Sequence, residues 1–80
     1  MKLRTISDYD MSARDTLRNG TRFTYTYVDR RTPQLAEPRI GYYDRRKGLF
    51  TAVTADDAVI LSHFETPERY VRNLKDSTYA

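Results

Sequence analysis

The segment that most limits what this chain can become runs Thr21-Arg22-Phe23-Thr24-Tyr25-Thr26-Tyr27-Val28-Asp29. Phe23, Tyr25 and Tyr27 alternate with Thr24, Thr26 and Val28, so β-favouring residues occupy both faces and a strand over 21–29 is predicted. Arg39 to Asp44 resumes extended structure, Arg45-Arg46-Lys47-Gly48 has the length and glycine placement of a hairpin turn, and Leu49 to Thr54 returns as a strand. Asp56-Asp57 then turns the chain into a fourth strand, Ala58 to Phe64. Between Arg30 and Pro38, two prolines and the pair Arg30-Arg31 predict an irregular loop, the longest connection.

Helices are expected at both ends. Ser7 or Asp8 can cap a helix reaching Arg18, with Ile6, Ala13 and Leu17 as a thin apolar stripe and Asn19-Gly20 as a left-handed stop. Thr66 is placed to cap a last helix, with Pro67 at its first position and Glu68 at the positive end of its dipole. Pro67, Tyr70, Val71 and Leu74 fall on one face of that helix. Short turns between consecutive strands favour antiparallel pairing. The expected fold is therefore α+β, one domain over residues 1–80 with an antiparallel meander of about four strands and an N-terminal and a C-terminal helix. With both helices on one face, the other face of the sheet stays open.

Composition narrows the chemistry. The sequence has no cysteine, which excludes disulfides, thiol nucleophiles and thiolate metal sites, and its single histidine leaves a zinc centre short of ligands. Neither a metal nor another cofactor is expected. Three scattered glycines make no phosphate loop. Paired carboxylates fall only in turns or helix starts, against a glycosidase, and a chain this short has little room for a serine-hydrolase pocket. MKLRTISDYD has a positive start with no apolar run behind it, and nothing in the chain approaches the roughly 20 apolar residues of a membrane span. A cytoplasmic protein with no membrane partner, or an excised domain, is expected, Met1 favouring a complete small protein or an engineered start.

The net charge of +3 is ordinary, but eleven of fourteen basic residues are arginine and seven of ten aromatics are tyrosine. Guanidinium forks match phosphates and stack on bases, and tyrosine offers a stackable ring with a polar tip. His63 closes the last strand. Strict alternation puts it with Val59 and Leu61 on one face, and Ile60, Ser62 and Phe64 on the other. If Ile60 and Phe64 point inward, His63 lies on the open face, where a side chain titrating near neutrality is the natural acid or base for phosphodiester cleavage. The competing reading is an ordinary half-exposed histidine at a strand end. Arg22 or Arg39 on neighbouring strands would supply the cation for a phosphorane, and Thr66 and Tyr70 would offer hydroxyls to a phosphate. For those two, a helix cap and a core aromatic are the plainer readings. Arg45, Arg46 and Lys47 bring three positive charges to one hairpin tip, either a phosphate contact or simply a solvated turn. Phe23, Tyr25 and Tyr27 read more readily as core than as a base-stacking platform.

The stretch Gly41-Tyr42-Tyr43-Asp44-Arg45-Arg46-Lys47-Gly48-Leu49-Phe50-Thr51-Ala52-Val53-Thr54, followed by Val59 to Phe64 and Tyr70-Val71, resembles RelE/BrnT-like ribonuclease toxins. These belong to the barnase, EndoU, colicin and RelE superfamily. The likeness covers residues 39–74: strand, basic turn with glycine, strand ending in threonine, acidic turn, apolar strand reaching a histidine, helix. It implies a small metal-independent ribonuclease that binds RNA, either tRNA or mRNA, across an antiparallel sheet and is neutralised by a cognate antitoxin or immunity protein. On this sequence it implies His63 as the acid or base, Arg39 and Arg22 as phosphate partners, and Thr66 or Tyr70 as auxiliary groups; the expected site is thus His63, Arg39 and Thr66 as catalytic residues, with Arg22, Tyr42, Arg45, Arg46, Lys47 and Tyr70 on the substrate. The alternative from another class is a non-catalytic module that binds protein or nucleic acid through the open sheet and the basic turn. The inhibitory half of such a pair is disfavoured, because shields of basic toxins tend to be acidic.

Overall fold

The computed structural model describes residues 6–32 and 34–79, with only the backbone described for 6–10. α1 (Ile6–Asn19) leads into β1 (Thr21–Val28), β2 (Ala36–Asp44), β3 (Leu49–Thr54) and β4 (Ile60–Glu65), and α2 (Glu68–Arg72) follows. The strands form one antiparallel sheet in the order β1-β2-β3-β4, the expected meander between an N-terminal and a C-terminal helix.

Three local features deviate from the expected pattern for identifiable reasons. β2 begins three residues early and takes in Pro38, opposite Thr26. The Thr26 N–H points outward, to the Lys75 carbonyl at 2.8 Å, which makes Thr26–Pro38 a pair without mutual ladder bonds. The N–H that proline lacks would therefore face β3, and β3 has already ended opposite Arg39. Gly20 is not a left-handed stop. It is required by close approach, since a Cβ there would sit 2.6 Å from the Thr16 carbonyl oxygen. Thr66 does not cap α2, because Pro67 holds the N-cap position and no side chain bonds there. The expected caps Ser7 and Asp8 lie inside α1, their side chains outside the described residues.

The expectation of an open sheet face is overturned. α1 packs against β2, β3 and β4, where Leu17 and Ile60 pack against the cluster of Ile40, Tyr42 and Val53. On the opposite face Phe23, Tyr25, Tyr43, Phe50 and Ala52 cluster with Val71 of α2 and are joined by Leu74 and Tyr79. A helix of five residues is too short to cover that face, so the segment after it completes the cover. The same segment closes the outer edge of β1. Besides the Thr26–Lys75 bond, the Thr78 N–H donates to the Thr24 carbonyl at 2.9 Å and the Thr24 N–H donates to Thr78 Oγ1 at 2.9 Å.

Candidate functional site

Two turns set the positions of the predicted cations. Asp44 organises the first: its carbonyl accepts from the Gly48 N–H at 2.7 Å and its Oδ1 accepts from the Arg46 N–H at 3.0 Å, while Gly48 adopts a φ of 70°. Two of the three cations there are already engaged, Lys47 Nζ with Asp15 at 2.7 Å and Arg45 Nε with Glu68 at 3.5 Å. Asp57, at the second turn with a φ of 64°, takes the Tyr42 hydroxyl at 2.9 Å and sits 3.9 Å from Arg22 Nε. Arg22 and Tyr42 thus face a carboxylate, which opposes phosphate at that corner.

His63 is not on an open surface. A β-bulge between Ala52 and Val53 leaves Leu61 without a partner, so Ile60 and His63 share a face, opposite Val53 and Thr51. Strict alternation had separated them. His63 is only 7% exposed, under α1, with Nε2 2.8 Å from Ser12 Oγ and Nδ1 2.7 Å from Thr51 Oγ1. Burial pulls its pKa below the ordinary value, against a smaller upward pull from a hydrogen bond to the Phe50 backbone.

Arg39 lies on the other face. The register sets it across from Tyr25 and Thr54, and its guanidinium carbon lies 3.8 Å from the centroid of the Tyr27 ring. Its side chain keeps 16% exposure and its Nε is 3.4 Å from Glu37 Oε2. Burial pushes the Tyr25 phenol up, and its hydrogen bond with Arg39 opposes that shift more weakly. Beside this pair a groove of about 450 Å³ opens between the end of β1 and α2, lined by Tyr25, Tyr27, Arg30, Arg31, Tyr70 and Lys75 among others. Tyr70 reaches it edge-on to Phe50 and Phe64, at centroid distances of 6.0 and 5.6 Å.

The predicted residues therefore divide. Tyr70 lines the groove and Arg39 lies beside it, over Tyr27; His63, Arg22 and Tyr42 belong to the α1 side; Arg45 and Lys47 are paired at the turn. Thr66 uses its backbone, its carbonyl accepting from the Tyr43 hydroxyl at 2.8 Å. Arg30, Arg31 and Lys75 were missed. The first two directly follow the aromatic strand, a signal that was legible, whereas Lys75 is placed only by the return of the chain after α2. Among the described residues no cluster of His, Cys, Asp or Glu is arranged to hold a metal ion, and no helix is long and apolar enough to cross a membrane. No protein-family model, curated protein or solved structure matches this chain.

Proposed function

We propose that this chain is an RNA-binding module that holds a single strand along the groove beside Arg39. The observation that carries the reading is the guanidinium of Arg39 laid over the Tyr27 ring at 3.8 Å. A cation fixed on an exposed aromatic at the edge of a sheet gives a base a surface to stack on and a phosphate a donor fork at one place. Arg30, Arg31, Lys75 and Arg39 outnumber Asp29 and Glu37 there, so the groove has the sign a phosphate backbone needs. Single strands fit better than a duplex, whose bases are not available for stacking on Tyr27 and Tyr70.

A second reading, metal-independent cleavage of the bound strand by a toxin-type ribonuclease with an acidic inhibitor as partner, is favoured by the register, which sets Arg39 directly across from Tyr25 on the same face. RNA carries its own nucleophile in the 2′-hydroxyl. A cation for the phosphorane and a phenol that stays protonated at neutral pH supply two of the remaining groups. In this reading the chemistry belongs to the groove and not to His63, which faces α1.

Labelled single-stranded and duplex RNA titrated into the protein in EDTA test both readings. With about three phosphates neutralised, the affinity for single strands falls with log salt at a slope of about −2. Tyr27→Ala weakens binding by about 1–3 kcal/mol, roughly 5- to 150-fold. Absence of salt-dependent retention by the folded chain overturns the module. Intact RNA after prolonged incubation, or cleavage that Arg39→Ala leaves unchanged, overturns the nuclease.

A further inference from the structure

The Ser12, His63 and Thr51 side chains form a hydrogen-bonded chain that the groove beside Arg39 does not use. Ser12 Oγ is 2.8 Å from His63 Nε2, and Thr51 Oγ1 is 2.7 Å from Nδ1. A ring N–H at Nδ1, donated to Thr51 Oγ1, leaves Nε2 to accept from the Ser12 hydroxyl. A hydroxyl donating to an imidazole whose tautomer is fixed from behind is the arrangement that activates a serine.

A second observation makes the hydroxyl reachable. Ser12 is half-buried, not sealed, and lines a groove of about 580 Å³ together with Met11, Leu49, Arg18 and Lys47. Lys47 is held there by Asp15 at 2.7 Å, a contact that raises the lysine pKa and keeps its charge. Methionine and leucine offer apolar surface for an acyl chain, and the lining carries Arg14 and Arg18 besides the Lys47–Asp15 pair, a net positive sign that suits a developing oxyanion.

We infer that Ser12 is a nucleophile, with His63 as its base, toward small carboxylic esters with an apolar acyl chain, held in this surface groove and not in the enclosed pocket for which so short a chain has little room. Ser12 Oγ bonds to the ester carbonyl carbon and its proton passes to His63 Nε2. The ester C–O bond then breaks, and His63 returns the proton to the departing alkoxide. Water repeats the sequence, releasing the carboxylic acid and restoring the serine. The site lies on the α1 side of the sheet and Arg39 on the other, so this activity stands or falls independently of RNA binding.

The test uses the whole chain and an alkyl fluorophosphonate, from which Ser12 Oγ would take the phosphorus with loss of fluoride, alongside hydrolysis of p-nitrophenyl butyrate. One adduct per chain, mapped to Ser12 by peptide mass spectrometry and absent from Ser12→Ala, is the expected result. His63→Gln slows labelling by about 100-fold or more. A third readout needs no variant: labelling of the unaltered protein rises with pH and levels off, with a midpoint below that of an ordinary histidine, as His63 loses its proton. An adduct on another residue, labelling no faster than in urea, or a rate that keeps climbing with hydroxide overturns the assignment.

Discussion

The two faces of the sheet are built from different materials. The α2 face is held by rings: Phe50 contacts Phe23, Tyr25, Phe64 and Tyr70 at centroid distances between 5.3 and 6.1 Å, and Tyr79 stands edge-on to both Phe23 and Tyr43. The α1 face is held by aliphatic contacts around Leu17 and by the polar chain through His63. Rings bury large areas with few degrees of freedom, so five helical residues and a short return segment suffice on one face where the other uses fourteen. The aromatic packing also thins toward the end of β1, where Tyr27 and Tyr70 reach the surface. That margin is where the proposed RNA groove lies.

If the rings dominate stability, the faces respond unequally to truncation. Phe50→Ala, at a position 2% exposed and in four ring contacts, costs about 3–5 kcal/mol, whereas Val53→Ala across the sheet costs about 2 kcal/mol. A domain of this size has roughly 4–12 kcal/mol in total, so Phe50→Ala lowers the melting temperature by about 20 °C or prevents folding. Equal shifts in thermal denaturation would mean that the faces carry equal weight.

The same comparison has a smaller test in backbone packing. At Gly41 an added Cβ would lie 2.5 Å from Phe23 Cζ and 2.9 Å from Phe50 Cε1, so this glycine is the seat of the ring cluster. Gly41→Ala forces those rings aside at a cost of about 1–3 kcal/mol, read as a lower urea midpoint with an unchanged slope. A neutral outcome would show that the aromatic face repacks freely.

Legibility in the sequence followed how local each signal was. The alternation from Phe23 to Tyr27, the turn at Asp44 to Gly48 and the order of elements were written in neighbouring residues, and strands and meander are as expected. The phase of β4 was not, because a bulge arises from pairing between strands and leaves no mark at Leu61 itself. Nor was the placement of the helices on opposite faces, which depends on the chain after Arg72 crossing the aromatic side and then running along β1. Arg39 and Tyr70 were found by residue type. Their company was not, since Lys75 reaches the groove only through that return.

The mildest test separates the faces by pH. Tyr25, Tyr43 and Tyr79 on the aromatic face, with Tyr42 on the other, have phenol pKa values raised chiefly by burial, that of Tyr79 to about 12. A raised phenol keeps its proton in the folded state after the unfolded chain has lost it. The stabilisation is complete below pH 10 and fades as pH rises toward 12. His63 has the opposite sign, its pKa lowered by burial. The unfolded chain binds a proton first, so stability is complete above about 6.5 and is lost as pH falls through the folded value. Lowered carboxylates such as Asp56 and Glu68 act further down, below about 4. Urea midpoints of the unaltered protein should decline from pH 7 to pH 5 and again above pH 10. His63→Gln should keep the alkaline decline and lose the one between 7 and 5. If the variant retains that acid slope, the proton that loosens α1 binds somewhere other than His63.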